Sequence, residues 1–252
     1  MLEQFYHNKT SFQNQDYSSP KQSRVKYYLK RIIEVIVIAF ISFVLAYVIV
    51  NWPALWLKLK YNYEIKNPEK AAEIEKRGKL PVIPDIEREG SWLIIPKINV
   101  DAPIIWLKTV DEQTMLAELE KGVVHYANTS KPGEGGNCAI TGHSSNYWWS
   151  QGKYNTVFAL LDKLTNGDKA IILKDGKKYV YEMTGNEIVS PNQVSVLDPT
   201  KEPTLTLITC YPVGTNLNRL VVRLKQIEPK PKNNKKTKTK SPNKNKKLPS
   251  VR

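Results

Sequence analysis

The feature that most constrains this chain is an apolar run near its N-terminus. The nineteen residues 32–50 contain one charged residue, Glu34, close to the start of the run. At about 1.5 Å per residue, a helix of that length covers roughly 28 Å, which is close to the hydrocarbon thickness of a bilayer. A helix in a protein core usually has a polar face, and this run has none. It is also too long for the apolar part of a cleaved signal peptide. We therefore predict a transmembrane helix at residues 32–50, with Trp52 and Trp56 at the interface.

The charges that flank this run predict its orientation. Five basic residues lie in the eleven residues before it: Lys21, Arg24, Lys26, Lys30 and Arg31. Only three, Lys58, Lys60 and Lys66, lie in the sixteen residues after it. The positive-inside rule then places the N-terminus in the cytoplasm and the rest of the chain outside a single-pass cell membrane. Residues 1–31 are polar and rich in Gln, Asn, Ser and Tyr, so we predict a disordered cytoplasmic arm there.

The segment after the apolar run is predicted to be an extracytoplasmic stem, residues 51–90. Within it, "NPEKAAEIEKRG" is typical of a short helix, with Asn67 as N-cap, Pro68 in the first turn and Gly78 as the stop signal. The following "KLPVIP" is expected to interrupt regular structure.

From residue 91 the pattern changes to short β-prone runs separated by turn residues. The runs are "WLIIPKI", "APIIWL", "GVVHYA", "NCAITG", "KAIILK", "KYVYEM", "NEIVS", "LTLITC" and "RLVVRL". Two segments, "DEQTMLAELEKG" and "TVFALLDKLTNG", indicate short helices between them. Eight or so strands at this spacing predict a mainly β domain over residues 91–227, either a closed antiparallel barrel or a sandwich.

Most of the positive charge lies in the C-terminal segment. Residues 225–252 contain eleven Lys or Arg and one acid, a net charge of +10, which leaves only +4 of the chain's +14 for all other residues. Because residues 228–252 have almost no apolar content, we predict a Lys-rich disordered tail that packs on nothing. A solvated basic tail without a partner is the simpler interpretation, and a tail that binds anionic polymer or lipid outside the cell is the alternative. We expect no nucleic acid partner, since the tail lacks aromatic residues for stacking on bases.

The chain contains only two cysteines, Cys138 and Cys210, so it lacks the framework of a disulfide-rich secreted protein. There is no Cys/His cluster with the spacing of metal ligands, no phosphate-binding loop and no GxGxxG. The sequence therefore predicts no metal site and no cofactor.

Three residue types with complementary chemistry lie at predicted strand ends. Cys210 ends "LTLITC", Arg219 begins "RLVVRL", and His143 follows a strand in "AITGHSS". A hairpin would bring Cys210 and Arg219 to one rim. A thiolate is a nucleophile for acyl transfer, a histidine can protonate a leaving amine, and an arginine can hold an oxyanion. A packed, unreactive thiol at Cys210 remains an alternative at this point. His125, inside a strand pattern, is predicted to be structural.

These segments resemble the sortases, cysteine transpeptidases of the bacterial surface. The likeness rests on "TLITC" followed by "NRLVV", with "TGHSS" upstream, and extends over residues 91–226. "LIIPKINVDAPII", "GVVHYANTSKPGEGGNCAITGHSS" and "FALLDKLTNGDKAIIL" are similar to further segments of the family. "CYP" is more similar to the class D-like and E-like branches than to class A.

The resemblance implies a β-barrel of seven or eight strands and a role for each site residue. Cys210 would be the nucleophile, His143 the acid and base, Arg219 the oxyanion or substrate arginine, and Thr209 a supporting residue. Arg223 competes with Arg219, but the family's arginine directly precedes the apolar part of the last strand. Cys138 is expected to be a buried thiol.

The function implied is cleavage of an LPxTG-like sorting signal through a cysteine thioester. The partners would be secreted surface proteins that carry the signal, and an amine of the cell wall or of a pilin that accepts the acyl group. Two alternatives stay open from the sequence: a membrane-tethered cysteine peptidase, and a non-catalytic β-domain that binds anionic wall polymers.

Overall fold

The computed structural model describes residues 20–79, 88–109, 111–147, 149–230 and 248. Its helices are α1 (Pro20–Glu64), α2 (Pro68–Lys79) and α3 (Glu112–Leu119). Its strands are β1 (Trp92–Ile95), β2 (Val100–Trp106), β3 (Val123–His125), β4 (Asn137–Thr141), β5 (Lys169–Lys174), β6 (Lys177–Val189), β7 (Thr204–Tyr211) and β8 (Asn218–Glu228). Three 3₁₀ helices lie at Pro96–Ile98, Leu161–Lys163 and Val194–Leu197. The chain divides into two units, Met1–Ala46 and Tyr47–Arg252.

Helix α1 is long and apolar enough to cross a membrane, and its most apolar stretch is not buried within the protein. It contains the predicted span and extends beyond it at both ends. Residues 20–31 are helical rather than irregular, because Pro20 suits the first helical position and no glycine or second proline follows before Pro53. The remainder of the predicted arm, residues 1–19, lies outside the described residues.

The C-terminal part of α1 packs against the β domain, where the sequence predicted a stem. Tyr47 Oη donates a hydrogen bond to Val213 O at 3.0 Å, and Ala54 packs with Val213 in a small apolar cluster. Lys58 Nζ lies 3.0 Å from Asp162 Oδ2. The helix therefore continues into the folded domain up to Glu64.

Helix α2 forms at the predicted place, and its half-exposed Glu75 contacts a lysine that is buried in the barrel domain. Asn67 Oδ1 accepts hydrogen bonds from Glu69 N at 3.0 Å and Lys70 N at 3.3 Å, as an N-cap does. Lys97 Nζ contacts Asp168 Oδ2 at 2.8 Å and Glu75 Oε2 at 3.0 Å.

The glycine predicted to stop α2 lies inside the helix instead. A Cβ on Gly78 would be 2.7 Å from Asp168 Oδ1, so the glycine permits close approach to this charge cluster. Residues 80–87, which include most of "KLPVIP", lie outside the described residues.

The eight strands form a closed barrel in the order β1-β2-β3-β4-β7-β8-β6-β5. This confirms the predicted barrel and excludes the sandwich. Two neighbouring pairs, β2/β3 and β4/β7, are parallel, whereas the sequence analysis expected an all-antiparallel barrel. Parallel neighbours need a crossover connection, and α3 supplies one between β2 and β3. Asp111 caps α3, since its side chain accepts from Thr114 N.

Two further elements differ from the pattern-based predictions. "KYVYEM" and "NEIVS" belong to one strand, β6, whose pairing with β8 shifts register between Met183 and Gly185. The segment predicted as a helix, residues 156–167, forms turns and the 3₁₀ helix Leu161–Lys163. A long-range contact is one reason why no α-helix forms here. Phe158 N donates to His143 O at 2.8 Å and so makes no hydrogen bond within a helix.

The barrel wall separates two apolar clusters. The larger cluster fills the interior and includes Leu205, Leu207 and Cys138. The second covers one outer region and includes Ile208 and Cys210. Residues of β7 alternate between these clusters as side chains of a strand do.

The outer cluster is covered by residues from several parts of the chain: Met115 and Leu119 of α3, Val194, Val196 and Leu197 of the third 3₁₀ helix, and Leu248 of the C-terminal segment. Leu248 is only 2% exposed, so the expectation that the tail packs on nothing does not hold at this residue. The stretches 231–247 and 249–252 of the predicted tail lie outside the described residues.

Candidate active site

Cys210 and Arg219 lie directly opposite each other on neighbouring antiparallel strands. The β7/β8 register pairs Cys210 with Arg219, and both side chains are almost fully buried. Opposite residues in such a pair have Cα atoms about 4.5–5.5 Å apart and side chains on the same face. The hairpin inferred from the sequence therefore brings this thiol and this guanidinium together.

The guanidinium of Arg219 is held by main-chain carbonyls. Its Nη1 donates to Asn216 O at 3.1 Å and Asn218 O at 3.0 Å, both in the turn that precedes or begins β8. Its Nη2 donates to Leu248 O at 3.4 Å. A buried, oriented cation next to a thiol favours the thiolate form that nucleophilic attack requires.

His143 follows β4, which runs parallel to β7. The register pairs Thr141 with Ile208, and Gly142 N continues the ladder by donating to Ile208 O at 3.2 Å. Neighbouring strands lie about 4.8 Å apart, and His143 and Cys210 each follow the last pair by two residues, so we infer that the two side chains lie near each other. His143 is 2% exposed. The three predicted site residues thus come from the adjacent ends of β4, β7 and β8.

Gly142 allows the backbone before His143 to approach its neighbours closely. A Cβ at this position would lie 2.8 Å from Phe158 Cδ2 and 2.9 Å from Val157 Cγ1. Contacts this short require a shift of the Val157 and Phe158 side chains or of the segment that carries the histidine.

Thr209 connects the strand of the cysteine to the segment of the histidine. Its Oγ1 donates to Gly142 O at 2.8 Å and is buried. A hydroxyl has a single proton to donate, and this one is used in that bond. Thr209 also points to the opposite face of β7 from Cys210. The geometry therefore favours a positioning role over the oxyanion or substrate support expected from the sequence.

Arg223 lies away from this site. It is paired with Thr206, four residues from the level of Cys210, which corresponds to roughly 13 Å along a strand. Its Nη2 contacts Glu187 Oε1 at 3.2 Å on the partly exposed outer surface. Of the two competing arginines, the structure brings only Arg219 to the thiol.

The other histidine of the β domain has a structural environment. Nε2 of His125 lies 3.1 Å from Ser130 O and 3.0 Å from Thr129 Oγ1, and the ring packs against Trp106. Burial lowers the pKa of His125 to about 4, so the ring is neutral near neutral pH.

Cys138 lies on the interior face of the barrel wall, opposite Leu205 in the β4/β7 register. Burial raises the pKa of this thiol. Both cysteines are reduced, and they lie in different apolar clusters, so the proposed nucleophile is not consumed in a disulfide.

Tyr126 is a neighbour of the site that the sequence analysis missed. It is fully buried in the same outer cluster as Cys210. Burial raises the pKa of its phenol, and the nearby positive charge of Arg219 opposes that effect. In "GVVHYA" a tyrosine has no pattern that separates it from an ordinary core aromatic, so only the fold reveals this position.

Taken together, the fold and the site define a β-barrel that presents a buried Cys, a His and an Arg at one rim. Residues 93–227 match the family model described as the sortase domain. This match covers more than half of the chain, and the chain therefore belongs to the sortase family. Sortases are cysteine transpeptidases, and this chain is an enzyme of that type.

Individual relatives agree with this assignment. The chain is 29% identical over 171 residues to sortase D of Bacillus subtilis, a match that covers 64% of this chain and 78% of the relative. It is 30% identical over 156 residues to sortase SrtE1 of Streptomyces coelicolor, covering 56% of this chain and 41% of that protein.

A solved structure of a Clostridium perfringens sortase D5 transpeptidase is 32% identical to this chain, with a TM-score of 0.45. The alignment covers 54% of this chain and 78% of that structure. The family assignment rests on the domain match rather than on this superposition.

Proposed function

We propose that this protein is a membrane-anchored sortase that cleaves an LPxTG-like sorting signal and joins the cleaved protein to an amine. The observation that carries the residue roles is the register around β7. It pairs Cys210 with Arg219 on one side and leads His143 to the same level on the other.

In the first half-reaction, the Cys210 thiolate attacks the carbonyl carbon between Thr and Gly of the signal. A carbon–sulfur bond forms, and the negative charge that develops on the carbonyl oxygen is stabilised by Arg219. The carbon–nitrogen bond then breaks, and His143 donates a proton to the departing Gly amine. The product is a thioester on Cys210.

In the second half-reaction, an amine attacks the thioester carbonyl. His143 accepts a proton from this amine, the carbon–sulfur bond breaks, and Cys210 is regenerated as a thiolate. No electrons are transferred to or from the substrate, so the cycle is balanced by the two substrates alone. We propose surface proteins with a sorting signal as acyl donors, and an amine of the cell wall or of a pilin as acceptor.

We propose that α1 anchors the enzyme with its N-terminus in the cytoplasm and the barrel outside the cell. The length and apolar character of the helix support anchoring. The five basic residues before the apolar run, against three after it, support the orientation.

The competing enzymatic function is a peptidase, in which water instead of an amine resolves the thioester. The test incubates the full chain, in detergent micelles, with an LPxTG-like peptide and increasing concentrations of triglycine. We expect ligated product to replace hydrolysed product as triglycine rises. Hydrolysis alone, at every amine concentration, would favour the peptidase. Absence of both products across a panel of such peptides would argue against this substrate class.

A further inference from the structure

The C-terminal segment places one residue, Leu248, directly at the candidate active site. Its side chain is 2% exposed and belongs to the same apolar cluster as Cys210. Leu248 O accepts from Arg219 Nη2 at 3.4 Å. Leu248 N donates to Pro191 O at 2.7 Å. The side chain, the carbonyl and the amide N–H of this one tail residue thus all contact residues at or next to the site.

Leu248 contacts the guanidinium of Arg219, the group that stabilises the substrate's carbonyl oxygen in the proposed mechanism. Both donors from Nη1 are directed to carbonyls of the chain's own turn, at Asn216 and Asn218. Nη2 instead meets the carbonyl of Leu248, as it would meet a carbonyl of a bound peptide. The main-chain contacts on both sides of Leu248 resemble those by which an extended peptide is recognised.

The sequence around Leu248 matches the start of the substrate class proposed above. The chain ends in "KKLPSVR", so Leu248 is followed by Pro249, the first two residues of an LPxTG-like signal. The threonine and glycine of that signal are replaced by Val251 and Arg252. The tail therefore carries the apolar part of a sorting signal without the Thr–Gly bond that would be cleaved.

The length of the chain allows this contact to form within one molecule. β8 runs from Arg219 at the site to Glu228, nine residues or roughly 30 Å away. The twenty residues from 228 to 248 can span up to about 65 Å when extended. The tail is long enough to return to the start of β8.

We propose that the C-terminal tail is a pseudosubstrate: Leu248 occupies a position in the apolar cluster of Cys210 and competes with the sorting signal for that position and for Arg219. This inference rests on the proposed function for the identity of the competing ligand. The part of the inference that concerns structure, namely that Leu248 covers Cys210, does not depend on the proposed function. The tail acts by lowering the fraction of enzyme that is open to substrate, so it raises the apparent KM and leaves kcat at saturating peptide unchanged.

The first experiment measures how quickly iodoacetamide alkylates Cys210 in the full chain, in detergent micelles without peptide. Peptide mapping by mass spectrometry separates Cys210 from Cys138, which serves as an internal control for unfolding. If the tail covers the site about nine-tenths of the time, Leu248→Asp should accelerate alkylation of Cys210 by roughly tenfold. Leu248→Ala should accelerate it to a smaller extent. Cys138 should remain unreactive in both variants.

Asn245→Asp is the matched control, because it introduces the same negative charge into the tail and leaves Leu248 in place. It should alkylate at the wild-type rate. Equal rates for Cys210 in the wild type and in Leu248→Asp would overturn the proposal, and so would an equal acceleration by Asn245→Asp. A lower Tm for Leu248→Asp with an unchanged alkylation rate would show that Leu248 stabilises the fold but does not cover Cys210.

The second experiment adds the peptide KKLPSVR to the Leu248→Asp enzyme. The peptide should slow alkylation of Cys210 again, and the same peptide with Asp in place of Leu should not. In the triglycine assay, Leu248→Asp should lower the apparent KM for the sorting peptide by a similar factor.

Faster alkylation without turnover of any peptide would leave the tail inference intact and count against the proposed function. If Leu248→Asp turned over the sorting peptide normally but left the alkylation rate and KM unchanged, the proposed function would stand and the tail inference would be wrong. Release of tail residues by the enzyme would also contradict the proposal, because the tail would then be a substrate.

Discussion

Cys210 experiences two opposed effects at the scale of the single residue. Complete burial among apolar side chains disfavours a thiolate, since the charged form loses its hydration. The guanidinium of Arg219 on the opposite strand favours it, and so would a protonated His143. A compensating charge that main-chain carbonyls hold in place favours the thiolate form at this buried position. For Cys138, burial raises the pKa of the thiol, and the negative charge of Glu134 adds to that effect.

The role of Arg219 gives the sharpest prediction at this scale. Arg219→Ala should lower the turnover of a sorting peptide by roughly 10²–10³-fold, the size expected for the loss of one oxyanion donor. Arg219→Lys should recover only part of this, because an ammonium retains the charge and loses the planar fork. The measurement is kcat for each purified variant, after circular dichroism has confirmed that it is folded.

Arg223→Ala is the matched control for that series. Arg223 lies on the same strand and forms a partly exposed pair with Glu187. Such pairs contribute at most about 1 kcal/mol to stability, so its removal should leave kcat close to the wild-type value. A large loss of kcat in Arg223→Ala, with a near-normal kcat in Arg219→Ala, would move the role four residues along β8 and contradict the site described above.

Helix α2 contacts the barrel domain through its half-exposed Glu75, which pairs with Lys97 of the buried Lys97–Asp168 pair. Burial alone would raise the pKa of Asp168, but hydrogen bonds from Lys97 and Thr165 outweigh it and lower the pKa. The hydrogen bond from Lys97 likewise lowers the pKa of Glu75. For Lys97 itself, the bonds to Asp168 and Glu75 outweigh burial and raise the pKa.

Asp168→Asn should therefore destabilise the protein by about 3 kcal/mol, because it removes the buried carboxylate that pairs with Lys97 and leaves that ammonium only the half-exposed Glu75. The matched control is Glu202→Gln, which makes the same change of acid to amide in an exposed pair with Lys225 and should cost less than about 1 kcal/mol. Urea unfolding at neutral pH measures both. Equal effects of the two substitutions would show that the buried cluster does not hold α2.

The same cluster predicts a pH dependence. A carboxyl group whose pKa is lowered by folding stabilises the protein above its unfolded value, about 3.9 for Asp and 4.3 for Glu, and this contribution is lost as the pH falls below that value. The wild type should thus lose stability from about pH 4 downward more steeply than Asp168→Asn. The contribution of Lys97, whose pKa is raised, is present throughout that range and would be lost only above its ordinary value of 10.5.

The elements also show what the sequence could and could not predict. β-prone runs bounded by turn residues located all eight strands, and a nine-residue separation placed Cys210 and Arg219 on one hairpin. The helical pattern at 156–167 was misleading, because a backbone bond from Phe158 to His143 O replaces local helical bonding. The parallel pairs, the burial of Tyr126 and the docking of Leu248 depend on contacts between distant segments, which no local pattern encodes.

At the scale of the whole molecule, the basic tail is predicted to act as a polymer-binding segment in addition to its contact at Leu248. Replacing the eight lysines between residues 232 and 247 with glutamine removes most of the tail's charge and retains Leu248. Binding of the enzyme to purified anionic wall polymer should weaken, and the difference should be largest at low salt, where charges are least screened. Co-sedimentation over a salt series measures this. Equal binding of both proteins at low salt would remove the role of the tail lysines.

Intact-protein and peptide mass spectrometry can show directly whether Cys210 is the nucleophile that becomes acylated. The wild-type full chain, Cys210→Ala and Cys138→Ala are each incubated with LPxTG-like peptides in the absence of an amine acceptor. We expect an acyl adduct, equal in mass to the peptide up to its threonine, on Cys210 of the wild type and of Cys138→Ala. Cys210→Ala should form no adduct and should retain the wild-type circular dichroism spectrum. An adduct on Cys138, or cleavage of the peptide by folded Cys210→Ala, would show that Cys210 is not the nucleophile.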